Sequence, residues 1–140
     1  MSVTHTNEIP PIETATDPIN SAADLRERWR ALMGNLGFGE RLLWLGFIGS
    51  DRRMYKTLSQ VSIGRSPDRR LVENLIAALV SALDAFQPGT SVALLLSRPG
   101  MDGLSADDRQ WSKALNGAAQ RQRLAIEPIF RANDVAVVPM

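Results

Sequence analysis

Along this chain the spacing of apolar residues switches repeatedly between a helical and an extended period, and the switches divide it into eight elements. In SAADLRERWRALMGNLG, Leu25, Trp29, Leu32 and Met33 fall on one stripe. Ser21 stands at the N-cap with Asp24 three positions on, and Gly34 and Gly37 end the run, so an amphipathic helix is predicted. RLLWLGFIG is too apolar for an exposed helix and reads as a buried strand. After the turn SDRR, the alternation from Met54 to Ile63 predicts a second strand, paired antiparallel with the first.

The next segment, RSPDRRLVENLIAALVSALDAFQPG, predicts a helix with Ser66 as N-cap, Pro67 at its first position and Asp68 in its first turn. Its stripe is Leu71, Leu75, Ile76, Leu79, Val80 and Leu83, and Pro88 and Gly89 end it. SVALLLS, bounded by turn residues, predicts a central strand. The loop RPGMDGL leads into a helix capped by Ser105 and running to about Arg123, with Asp108 at its third position and Trp111, Ala114, Leu115 and Ala118 inward. LAIEPIF and VAVVP close the chain as two short strands. The order α-β-β-α-β-α-β-β predicts an α/β fold, a mixed sheet with flanking helices.

The first twenty residues, with Pro10, Pro11 and Pro18 among polar neighbours, carry no such period. They are read as a disordered tail before a single domain over residues 21–140. A chain of 140 residues, 44% hydrophobic, has room for one core. No apolar stretch reaches membrane-spanning length and no leader-like start is present, so a cytoplasmic protein is expected, with no membrane partner. Only Lys56 and Lys113 among the sixteen basic residues are lysine, a bias associated with GC-rich bacterial genomes.

Composition narrows the chemistry. The absence of cysteine excludes a disulfide, a thiolate nucleophile and a Cys-ligated metal. The one histidine, His5, lies in the tail, which excludes a His-based triad or a His₃ zinc site within the domain. No catalytic residue, metal or cofactor is assigned. The glycines of GNLGFGE follow a helix and precede a strand, the reverse of a phosphate-cradling order, so they are read as a turn. Trp29, Trp44 and Trp111 fall on apolar stripes and are assigned to the core.

Two constellations remain. Arg98, Ser105 and Asp108 flank the end of the central strand and the start of a helix, where a guanidinium, a hydroxyl, a carboxylate and free amides meet. Such an edge suits a small anion or a carboxylate-dependent reaction. The plainer reading makes Ser105 and Asp108 a capping pair, Asp102 and Gly103 a turn, and Arg98 the partner of a nearby acid. Arg52, Arg53, Arg65, Arg69 and Arg70 form a second candidate, a basic patch for nucleic acid if their two loops meet. The net charge of +1, the interspersed Asp51, Asp68 and Glu73, and the lack of stacking aromatics make that reading the alternative.

From Glu40 to Val138 the chain resembles the RadC-like branch of the JAB/MPN domain family. The parallels are Glu40 with LLWLGFIGSDRR, VSIG, SVALLLSRPG, Ser105-Ala-Asp-Asp108 and AIEPI. In that family two histidines and an aspartate hold zinc, and the leading glutamate acts through the metal-bound water. Here Leu96 and Arg98 stand at the histidine positions, the loop before Ser105 is one residue shorter, and only Glu40, Ser105 and Asp108 match. The resemblance therefore implies a metal-free, JAB/MPN-like relative in which Arg98 pairs with Asp108 or Glu40 or holds an anion. Such a module works through protein partners or as a homodimer, with an apolar contact surface expected around Leu36, Phe38 or Phe130.

Overall fold

The computed structural model describes residues 17–140. Helix α1 spans Ala22–Met33, and the hairpin β1 (Leu42–Ile48) and β2 (Met54–Ser62) follows. Then come α2 (Arg69–Ala82) with a 3-10 turn at Leu83–Ala85, β3 (Ser91–Ser97), α3 (Ala106–Arg121), β4 (Phe130–Ala132) and β5 (Val137–Pro139). Three helices and five strands make the mixed α/β fold that the sequence predicts. Ser21 caps α1 by accepting the Asp24 amide, and Gly34, at φ +62°, ends it.

The five strands form one mixed sheet in the order β2-β1-β3-β4-β5. β1 is antiparallel to both β2 and β3, β3 is parallel to β4, and β4 is antiparallel to β5. The crossovers β2-α2-β3 and β3-α3-β4 step across the sheet in the same direction. Right-handed connections therefore lay both helices on one face. Residues two apart on a strand share a face, and on that face Leu43, Leu45, Phe47, Val92, Leu94 and Leu96 pack with Val72, Ile76, Leu79, Trp111 and Leu115. On the other, Ile48, Ala93, Leu95, Phe130, Ala132 and Val137 pack with Leu25 and Trp29 of α1. Covered on both faces, β3 is buried at all seven positions, which is why it reads as an unbroken apolar run.

Four details differ from the sequence reading. The cap of α2 is Asp68, whose carboxylate accepts the Leu71 amide at 3.1 Å, rather than Ser66. Apolar residues cover more than half of that helix, so their spacing leaves its inward edge open. Val72 is buried, while Leu71 and Val80 are exposed. In the closing segment Pro128, which has no amide hydrogen to give, interrupts pairing. Ile126 makes an isolated parallel bridge to Val92, and the ladder resumes only at Phe130. The packed part of the chain also starts before residue 21, since Ile19 is buried and its amide donates to the Arg52 carbonyl at 2.6 Å. The part of the tail reading that concerns residues 1–16, His5 included, lies outside the described residues.

Candidate functional site

The end of β3 delivers Arg98 to the first turn of α3. Leu96 and Arg98 are two apart, so both project toward the face that α3 covers, and Leu96 belongs to the core there. Ser105 and Asp108 form a reciprocal capping box: Ser105 Oγ accepts the Asp108 amide at 3.1 Å, and Asp108 Oδ2 accepts the Ser105 amide at 3.0 Å. This fixes the Asp108 carboxylate at the positive end of the helix, fully buried.

Arg98 meets that carboxylate with a fork. Its Nε donates to Asp108 Oδ1 at 2.8 Å and its Nη2 to Oδ2 at 2.7 Å. Nη1 donates to the Pro99 carbonyl and to Asp102 Oδ1, each at 3.0 Å, and Nη2 also donates to the Gly103 carbonyl at 3.1 Å. These five contacts use every N–H that a guanidinium has. Burial pushes the Asp108 carboxyl up, but the Arg98 hydrogen bonds, the Ser105 amide and the charges of Arg98 and Arg131 outweigh it and hold it below the ordinary range. The Arg98 guanidinium is held above its own ordinary value, chiefly by its bonds to Asp108.

Arg131, from β4, is a member of this cluster that the sequence reading missed. It is 2% exposed, its Nη1 lies 3.9 Å from Asp108 Oδ2, and its Nε has no hydrogen-bond partner among the described residues. Burial, and then the Arg98 charge, pull its guanidinium below the ordinary value. Its Nη1 and the Asn133 side-chain Nδ2 both donate to the Asp102 carbonyl, at 3.3 and 2.8 Å. The one available signal was a charged residue inside the apolar run IFRA.

The remaining candidates do not join this network. Glu40 stands at the same edge of the sheet, since Leu42 pairs with both Ser62 and Ser97, but it is exposed, accepts a hydrogen bond from Ser62 Oγ at 3.2 Å and is not among the partners of Arg98. The five arginines do not form one patch. Arg52 and Arg53 precede the nine-residue β2 while Arg65, Arg69 and Arg70 follow it, so the two groups are separated by the strand's length, about 26 Å. A loop on each side of a single strand lies at its opposite ends. Arg52 is also committed within the fold: it binds Glu127 through two bonds of 3.0 Å and donates from Nε to the Ile19 carbonyl. Phe130 is buried in the core rather than on a surface. Leu36 and Phe38 are half-buried against the α1 side of the sheet.

Loops around the end of β3 are tied by Asp134, which sequence reading also missed. Its Oδ1 accepts the Phe38 amide at 3.1 Å and its Oδ2 the Gly100 amide at 2.9 Å, while its own amide donates to the Gly100 carbonyl. This knot displays Met101, 74% exposed, and Val135, 39% exposed.

The residues at this edge do not fit a zinc ion. Leu96 and Arg98 offer no ligand atom, Asp108 is engaged through both oxygens, and a lone Glu40 at the same edge would leave zinc without nitrogen or sulfur donors. Among the described residues no group of three or more His, Cys, Asp or Glu side chains is placed to hold a metal. No helix in them is long and apolar enough to cross a membrane. Neither the protein-family models nor the curated proteins give a match to this chain.

Proposed function

We propose that the chain is a non-catalytic, metal-free MPN-like module that acts through protein contacts. The observation that carries this reading is the fork between Arg98 and Asp108. In the family that the sequence resembles, the position of Arg98 supplies a histidine to zinc and Asp108 completes the site. Here a guanidinium sits on both oxygens of that aspartate and keeps no donor for a ligand. The small-anion reading of Arg98 loses its main donor for the same reason.

A cation supplied by the chain holds the β3–α3 loop in place of one bound from solution. The loop then serves as a rigid mount for Met101, beside Val135 on the neighbouring loop. Exposed apolar side chains on a fixed backbone lose little entropy when a partner covers them.

A photo-crosslinking side chain at position 101, in the full chain expressed in its native cell, tests this. A discrete protein adduct is expected, of twice the chain mass if the partner is a second copy, and Val135→Asp should weaken it. No adduct above that from a crosslinker placed at Gln60 would remove the contact surface. One tightly bound zinc per purified chain, measured by elemental analysis, would overturn the metal-free assignment.

A further inference from the structure

A groove of about 410 Å³ opens between α2 and α3, on the face of the molecule built by the two crossover helices. Pro67, Val72 and Ala114 contribute its apolar part, and Arg69, Gln110, Lys113 and Arg121 its polar part. The cations come from different elements: Arg69 opens α2, while Lys113 and Arg121 stand on α3. Among the described residues no carboxylate lines it. Glu73 lies behind Arg121 and accepts two hydrogen bonds from that guanidinium and one from Gln122 Nε2 at 2.9 Å. The Arg121 bonds, followed by that from Gln122, hold the Glu73 carboxyl below its ordinary range.

Glu73 thus balances Arg121 and orients it. Arg69 adds only a through-space attraction to the same carboxylate, and neither Arg69 nor Lys113 forms a salt bridge among the described residues. Three cations face one groove, and of these only Arg121 is held in a salt bridge among the described residues. A ligand bearing phosphate would supply the missing negative charge, with Gln110 as a further donor and the Val72–Ala114 floor for an apolar part.

We propose that this groove binds a phosphate-bearing ligand through Arg69, Lys113 and Arg121. It is a different surface from the Arg98 edge and does not depend on the protein-contact reading. It also regroups the loop arginines, since Arg69 acts with α3 instead of with Arg52 and Arg53. Among the described residues no aromatic side chain lines the groove, so recognition rests on the phosphates rather than on stacked bases.

The test is a titration of the full chain with three probes at about 20 mM salt: inorganic pyrophosphate, a nucleoside triphosphate without metal, and a fluorescent single-stranded oligonucleotide. Saturable binding of at least one is expected. Binding of the small probes alone identifies a discrete ligand, and binding of the oligonucleotide alone identifies a nucleic-acid backbone. The exposed double variant Arg69→Ala, Lys113→Ala should weaken binding by about tenfold or more and flatten its salt dependence, whereas Lys56→Ala on β2 should not. No saturable binding of any probe, or equal affinity in the double variant, would overturn the proposal.

Discussion

Arg98 and Asp108 are ten residues apart, and the whole β3–α3 loop is drawn between the two bonds that join them, Nε to Oδ1 and Nη2 to Oδ2. Both side chains are buried, with 4% and 0% of their surfaces exposed. Removing either one leaves the other charge in a low-dielectric interior, so Arg98→Met or Asp108→Leu alone should cost about 3–5 kcal/mol in urea unfolding. The double variant should cost much less than the sum of the two. Strict additivity in that cycle would show that the residues do not act as a pair.

Acid should unfold the protein through the same carboxylate and through Glu127. Each has a folded-state pKa below its ordinary value of 3.8 and 4.5, Asp108 despite the opposing effect of burial and Glu127 first through its bond from Arg52. A depressed carboxyl contributes stability that is present above the unfolded pKa and lost as pH falls through the folded one. The melting temperature should therefore be nearly flat from neutrality to about pH 5 and fall below about pH 4. Asp108→Asn should lower the plateau and make the acid limb shallower; an unchanged limb would remove Asp108 from this account. Arg98 is shifted upward from a value already far above this range, so its contribution is complete here and adds no slope.

Two glycines of the loop should respond differently to alanine. Gly100 has φ +117°, and a Cβ there would lie 2.9 Å from Arg98 Nη1 and 3.0 Å from Asp102 Oδ1. Side-chain ends usually yield, but this guanidinium is held by five bonds. Gly100→Ala should cost about 1–3 kcal/mol. Gly103 faces open space with no positive φ, so Gly103→Ala should stay within about 0.5 kcal/mol of the wild type. Equal effects in thermal unfolding would contradict the clamp.

Asp134→Ala removes the acceptor shared by the Phe38 and Gly100 amides. A modest global loss is expected, about 1–2 kcal/mol, because the carboxylate is only partly buried. The diagnostic readout is hydrogen exchange. Protection should fall at those two amides while the amides of β3 remain slow, and uniform loss across the sheet would mean that Asp134 supports the core instead.

How far the fold was legible follows from what each element needs. β3 and α3 carry their own instructions: an apolar run short enough for a strand, and Ser105 with Asp108 at the capping spacing. The capping pair and the pairing of Arg98 with an acid were both readable there, because all the residues lie within one turn of the chain. Arg131 and Asp134 were not, since their hydrogen-bond partners are 29 to 96 residues away and meet them only after β4 docks beside β3. The inward edge of α2 was ambiguous because Leu71 and Val72 are equally apolar, and only the sheet beneath selects Val72. The arginine patch failed on a geometric point: pairing β1 with β2 joins the strands side by side and leaves the two ends of β2 as far apart as before.

The cluster at the end of β3 has a last consequence. A metal ion exchanges with solution, so a fold that relies on one has a dissociation constant and responds to chelators and to metal supply. Arg98 is joined to the chain it braces and exchanges with nothing. On the metal-free reading proposed above, the loop that carries Met101 would therefore be set once, at folding, and its shape would not follow the metal content of its surroundings.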